Sequence, residues 1–479
     1  MKNHLFLGQV LSLFISLVLL SSCTSKMEQE SSSAGPVPST AIQPSKQQPQ
    51  YWQYKGKTVL LLGGSDEDNL FQMPNVEQQL DDLKAAGGNY VRNTMSSRDE
   101  GNLWAFAEDS TGQYDLRQWN KAYWDRFEKF LALTAARDIV VQIEIWATFD
   151  FYRGEWDKNP FNPKNNKTLS VQRVKLPTSI PTHPIFTDNP FFWSVPSQHN
   201  NIQLLQFQQA FVDKLLSISL PYDHVLYCMD NETSVTADWG KFWSNYIHTI
   251  AMEKGRQVFT TEMWDPHDLN HISHRETFDH PETYDFVEIS QNNHQKGEPH
   301  WINGLAQIER LRRSGALRPV TNVKTYGSPD GRHGHGLQNG VESFVRSVLF
   351  GSSAVRFHRP TSGIGLSDTA QMVIKGMREI TDQMEGFFEA EPQLALLSDR
   401  SENEAYCRAL AGQSYLVYFG EEGEVKLDLS ALEGAAIQMS ELALFTNQWM
   451  EPQTLKASSS LTLKAEGKHR LFLIQRGGE

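Results

Sequence analysis

The run Leu226-Tyr227-Cys228-Met229-Asp230-Asn231-Glu232-Thr233 turns from apolar to acidic within one residue. Residues two apart on an extended strand project to the same side, so Asp230 and Glu232 are expected to share a face. A carboxyl at a half-buried strand end has its pKa raised and can hold a proton near neutral pH, which makes Glu232 a candidate general acid/base. The same acidic group read as helix punctuation would cap the helix that follows. Paired-carboxyl chemistry needs a second group. The strand Val258-Phe259-Thr260-Thr261 delivers Glu262 beside Trp264. Glu262 is therefore the first choice, with a salt bridge to Lys324 or Arg92 as its alternative role. Asp230 stands in reserve for the acid and Asp330 for its partner.

These residues need elements to position them. From Thr58 onward, short apolar runs alternate with stretches of helical period. Strands are predicted over 58–62, 89–92, 139–146, 225–229, 258–261, 286–289, 319–323 and 354–357. Helices are predicted over 76–86, 119–136, 204–216, 241–253, 303–314, 341–349 and 370–384. Eight strands that mostly alternate with helices fit an α/β fold, the (β/α)8 TIM barrel, whose chemistry collects at the strand C-termini. After Phe388 the period shortens to that of strands with Gly-rich or acidic turns, which predicts a small all-β sandwich over 389–479.

The strand ends carry a dense polar set. The first ends in Gly63-Gly64-Ser65 and the acidic run Asp66-Glu67-Asp68, and the second in Arg92 and Asn93. The third supplies Glu144, Trp146 and Asp150, and the fifth adds Asp265 and His267 to Glu262 and Trp264. The sixth gives Gln291, Asn292, Asn293 and His294, the seventh Lys324 and Tyr326, the eighth Arg356, His358 and Arg359. Such convergence suits a polyhydroxylated ligand, which needs many hydrogen bonds and flat stacking faces. Arg92, Trp146, Asn231, Trp264, Asn292, His294, Lys324 and Tyr326 are expected to contact it, with Trp146, Trp264 and Tyr326 as the stacking faces. The segment from Tyr152 to Asn201, rich in Pro, Asn, Phe and Trp, far exceeds an ordinary βα loop and reads as a lid or a subsite wall.

The chain of 479 residues carries a formal net charge of −13. That lacks the basic footprint a nucleic-acid partner requires. Three cysteines exclude a disulfide scaffold, and Cys228 and Cys407 read as core residues. Asp330 with Arg332-His333-Gly334-His335 has metal-ligand types, but a Gly-rich polar loop accounts for it. No metal or cofactor is expected.

An apolar strand ending in an Asn-Glu pair resembles the acid/base motif of the large clan of retaining (β/α)8 glycoside hydrolases. The resemblance implies that Glu232 protonates the glycosidic oxygen and Asn231 bonds the sugar 2-hydroxyl. It also implies a second carboxylate at the end of the seventh strand, where this chain has Lys324. The opening Lys57-Thr58-Val59-Leu60-Leu61-Leu62-Gly63-Gly64-Ser65, the Trp104 region and the barrel-plus-sandwich plan are similar to the apiosidase-like group of bacterial glycoside hydrolases. Their C-terminal domain is often labelled collagen-binding, and in that group a strand-four Asp, here Asp230, is a catalytic candidate. The implied function is hydrolysis of a plant or algal polysaccharide. A non-catalytic carbohydrate-binding protein on the same barrel is the alternative.

The N-terminus reads as an address. An apolar stretch from Leu5 to Leu20 ends in Leu20-Ser21-Ser22-Cys23. This is similar to the lipobox of bacterial lipoproteins and implies a signal peptide over 1–22 with a lipid on Cys23. Thr24 rather than Asp after the Cys implies the outer membrane of a Gram-negative bacterium. Residues 23–50, rich in Ser, Gln and Pro, read as a tether, so the hydrolase-like domain is expected over 51–388.

Overall fold

The computed structural model describes residues 40–183, 189–328 and 335–477. Cys23, the signal segment, most of the predicted tether and Asp330 lie outside the described residues.

Eight strands form a parallel sheet: β1 (Leu61–Gly64), β2 (Tyr90–Thr94), β3 (Val140–Ala147), β4 (Val225–Asn231), β5 (Thr260–Thr261), β6 (Val287–Glu288), β7 (Val320–Thr325) and β8 (Ala354–Phe357). The order runs β5-β4-β3-β2-β1-β8-β7-β6. The ring closes between β5 and the start of β6: Asp285 N donates to Thr260 O at 2.9 Å and Thr261 Oγ1 to Phe286 O at 2.8 Å. Outside it lie α1 (Val76–Ala85), α2 (Lys121–Ala136), α3 (Ile202–Ser219), α4 (Ala237–Glu253), α5 (Ile272–Phe278), α6 (Gly297–Arg313), α7 (Leu337–Phe350) and α8 (Asp368–Gln383). The fold is a (β/α)8 barrel.

Alternation along β3 explains the barrel's layers. Val141, Ile143 and Ile145 face the helices, while Val140 joins Leu61, Leu226, Phe259, Phe286 and Val323 in an apolar floor inside the ring. One layer up, Tyr90 donates to Gln142 Oε1 at 2.7 Å. Above that, Arg92 meets Glu144. The interior therefore grades from apolar at the strand N-termini to charged at the C-termini, where a site belongs.

The ordered fold begins earlier than composition suggested. Residues 41–50 do not behave as tether. Gln43–Pro44 pairs with Trp52–Tyr54, which pairs with Lys57–Val59. Ile42 N bonds Asp223 O at 2.8 Å, and the buried Trp52 ring closes the floor against Phe286 at 5.1 Å. A Ser/Gln/Pro background hid the buried Ile42, which with the neighbouring Trp52 anchors the segment.

The C-terminal strands β9 (Ala405–Leu410), β10 (Ser414–Phe419), β11 (Gly423–Asp428), β12 (Ala436–Ala443), β13 (Ser460–Ala465) and β14 (Arg470–Arg476) form two antiparallel sheets. Val417, Phe419, Phe472 and Ile474 face Val425, Leu427 and Leu463 across the sandwich, while Leu416, Tyr418, Leu471 and Leu473 join the barrel's outer core. Helix α7 lies between the two. Its Phe344 stacks on Phe357 at 4.2 Å, and Arg408 bonds Leu349 O at 3.1 Å and the Tyr51 hydroxyl at 2.8 Å.

Candidate active site

Strand β4 delivers Glu232 with φ +61°, a left-handed conformation that costs a non-glycine residue roughly 1–2 kcal/mol. The chain accepts that strain at a residue whose side chain faces the mouth. The Glu232 carboxylate pairs with Lys324 Nζ from β7 and lies 3.5 Å from Gln291 Nε2. Burial alone would push its pKa up. The Lys324 charge and hydrogen bond, with Arg92 and Arg98 behind them, bring it below the ordinary glutamate value instead. Glu232 is therefore held ionised.

The chain after Glu232 is laced to the chain after β5. Thr233 N donates to Met263 O at 2.8 Å, and Asp265 N to Thr233 O at 3.0 Å. This ladder sets Asp265 next to Glu232. Burial, then the negative charge of Glu232, raise the Asp265 pKa, against the pull of His183, Lys324 and His267. Two carboxyls thus face one mouth with their proton affinities driven apart. That is the pattern of an acid and a base sharing a site.

Beneath them lies a fully buried charge layer. Arg92 Nε forms an ion pair with Glu144 Oε2 at 2.7 Å, and its Nη1 lies 3.3 Å from Asp68. Asp68 also receives Arg98 at 2.6 Å, Arg359 at 3.2 Å, Arg356 at 3.7 Å and the His358 ring at 3.6 Å. Burial works against the Asp68 charge, but the guanidinium groups of Arg92, Arg98 and Arg356 hold its pKa well below the aspartate range. Burial keeps His358 neutral, with its pKa well below the usual histidine value. At the rim, His267 stacks on His294 with centroids 3.5 Å apart and planes at 11°. Tyr326 stands edge-on to His294 at 5.5 Å and tilted over His358 at 5.4 Å.

The structure brings together Glu232, Lys324, His294 and Tyr326 from the expected set, whereas Arg92 is fully buried in the charge layer beneath them rather than open to a ligand. It places others elsewhere. Glu262 points into the helix layer: a Cβ on Gly240 of α4 would sit 2.2 Å from its Oε2, and its Oε1 accepts the amides of Asp230 and Met263, each at 3.1 Å. It does not oppose Glu232, and it pairs with neither Lys324 nor Arg92. Asp230 does not share a face with Glu232. Its Oδ2 accepts the Trp239 indole of α4 at 2.7 Å, and burial raises its pKa well above the usual range. Regular alternation fails here: Cys228 packs in the floor inside the ring, Asp230 two residues on turns to the helix layer, and Glu232 follows in the left-handed conformation.

Two expected stacking faces are core residues. Trp146 packs against Phe211, Trp243, Phe191 and Trp239 at 5.2–5.7 Å. Trp264 donates to Thr277 Oγ1 of α5 at 2.9 Å. Trp264→Phe should cost about 1 kcal/mol through the lost hydrogen bond and leave glycan affinity unchanged, as thermal unfolding and binding titrations would show. Asn292 is also structural, donating to His300 O of α6 at 2.9 Å. Asn231 is buried beside Ala147 in the β3–β4 ladder.

The residues that sequence reading did not select are Asp265, Asp68, Arg98 and Gln291. Asp265 and Asp68 both stood at predicted strand ends. The usable signal was position one turn past the strand, in the loop, rather than on the strand itself.

No family model matches the chain, and no curated protein matches it. Solved structures do. A glycoside hydrolase family 5 protein from Bacteroides vulgatus ATCC 8482 aligns with a TM-score of 0.62 at 13% identity, covering 92% of this chain and 95% of that one. A second structure, described as a glycoside hydrolase, aligns with a TM-score of 0.60 at 12% identity, covering 93% and 99%. At such identity the likeness is one of fold. Coverage on both sides extends it beyond the barrel to the appended sandwich. The shared architecture is a (β/α)8 barrel followed by a β-sandwich.

Proposed function

We propose that the protein is a retaining glycoside hydrolase. The observation that carries this reading is the Glu232–Lys324 pair at the barrel mouth with Asp265 laced beside it. In this scheme the ionised Glu232 attacks the anomeric carbon as the glycosidic C–O bond breaks, and protonated Asp265 gives its proton to the leaving oxygen. Water then hydrolyses the glycosyl-enzyme bond, with Asp265 taking the water's proton. The roles differ from those implied by the family resemblance. The lysine replaces the expected seventh-strand carboxylate and holds Glu232 ionised, so the nucleophile's role moves to Glu232. His294 and Tyr326 offer the rim a sugar ring would meet.

The test is release of sugar from a panel of plant and algal polysaccharides, with the anomer of the first product read by NMR. Retained configuration supports the scheme, and inversion moves Glu232 to the role of base. A binding-protein reading is favoured by the same lysine, which neutralises the best carboxylate. It gains if the wild type binds glycans and releases nothing.

The substrate we propose is a plant or algal polysaccharide, met at the cell envelope by a protein anchored through lipid on Cys23. Cys23→Ser should abolish lipid labelling and release the protein from membranes. Unchanged membrane association of that variant would exclude the anchor.

A further inference from the structure

We propose that the long β3–α3 insertion, which meets the mouth at His183, carries a subsite for an anionic polysaccharide, one bearing carboxylate or sulfate groups. The inference rests on the hydrolase reading of the mouth and names its substrate class. The insertion follows a barrel strand, so it belongs to the C-terminal face, where the site lies. It reaches the mouth directly: His183 Nε2 lies 3.9 Å from Asp265 Oδ2.

The charge of the insertion runs against that of the chain. Residues 152–201 hold six Lys and Arg against three Asp and Glu, in a protein of net charge −13. Lys158, Lys164 and Lys167 are matched by Glu155, Asp157 and Asp109 at 3.0–3.5 Å. Arg173 and Lys175 form no ion pair among the described residues. Both are exposed, and with His199 they line a groove of about 830 Å³. Asn201 ties its two walls, donating to Val174 O at 2.7 Å while capping α3 through Leu204 N. The positive end of the α3 dipole opens on the same groove.

Lys175 supplies an independent sign. It ends the short helix Val171–Val174 at φ +54°, ψ 25°, a position where glycine is favoured. A lysine there costs backbone strain. Its ammonium forms no ion pair among the described residues, which leaves the charge open to a ligand. The net negative charge of the whole chain repels polyanions at long range, which makes binding local to this groove rather than diffuse.

The test is affinity electrophoresis of the full chain through gels containing polygalacturonate, dextran sulfate or unmodified dextran, beside Arg173→Gln/Lys175→Gly. Lys175→Gly relieves the strained backbone, so loss of binding cannot come from unfolding, and the denaturation midpoint should hold or rise. Retardation by either polyanion, absent with dextran and weakened about 5- to 30-fold in the double variant, supports the inference. Polygalacturonate alone identifies carboxylate, and dextran sulfate alone identifies sulfate. Equal retardation by dextran, or unchanged retardation of the variant, overturns it. So does binding to anionic phospholipid vesicles that the variant loses while neither polyanion retards the wild type. Hydrolysis of neutral glycans without polyanion retardation overturns this inference and leaves the hydrolase reading standing.

Discussion

Glu232→Gln is expected to lower turnover by roughly 10³–10⁴-fold with little change in glycan affinity, because it removes the reacting carboxylate and keeps its shape. Asp265→Asn should cost roughly 10²–10³-fold, and less on substrates with good leaving groups, which need little protonation. The pH profile of kcat/KM separates the roles. The Glu232 carboxyl sits below the ordinary glutamate value and must be ionised, so the acid limb should lie below it. The Asp265 carboxyl sits above the ordinary aspartate value and must be protonated, so it sets the alkaline limb. Lys324→Met removes the charge that outweighs burial. The Glu232 pKa then rises, and the acid limb should move to higher pH. A Glu232→Gln enzyme with near-normal turnover, or a Lys324→Met profile with an unmoved acid limb, would end this assignment.

Arg92→Met should destabilise the fold by about 3–5 kcal/mol. The guanidinium is fully buried between Asp68 and Glu144. Burial opposes its charge, but the two carboxylates raise its pKa and keep it charged. Removing it strands Glu144 in the barrel interior without its cation. Adding Glu144→Gln should recover part of the loss, with a coupling energy above about 1 kcal/mol. Chemical denaturation of the single and double variants gives both numbers. A single-variant cost below about 1 kcal/mol would mean that the charge layer does not hold the mouth.

The barrel was legible in the sequence because its signals are local. Each apolar run of four to eight residues bounded by polar or glycine residues reads as a strand, and each amphipathic stretch as a helix that must cover it. The gathering of Glu232, Lys324, His294 and Tyr326 at the barrel mouth was legible because barrel geometry sends strand ends to one face. Residues 41–50 were misread as tether because Ile42 is one apolar residue in a polar segment. Its burial depends on the contact with Asp223, far along the chain.

Inward and outward were not legible. Trp146, Asp230, Glu262 and Trp264 carry side chains suited to a sugar site, yet all four pack against or bond the helix layer. Period-two alternation would have placed Asp230 with Cys228 and Glu232, but the strand end breaks that rule at Asp230 and again at the left-handed Glu232, and neither break leaves a trace in composition. Local residue patterns suffice for the fold class, for the strand that bears Glu232 and for the presence of Lys324 at the end of β7. That Lys324 pairs with Glu232, and that Asp265 rather than Glu262 stands beside it, follows from the folded arrangement of the strands. Proton affinity depends on charges brought together from β2, β4, β5 and β7 across distant stretches of chain, and no local pattern encodes their separation.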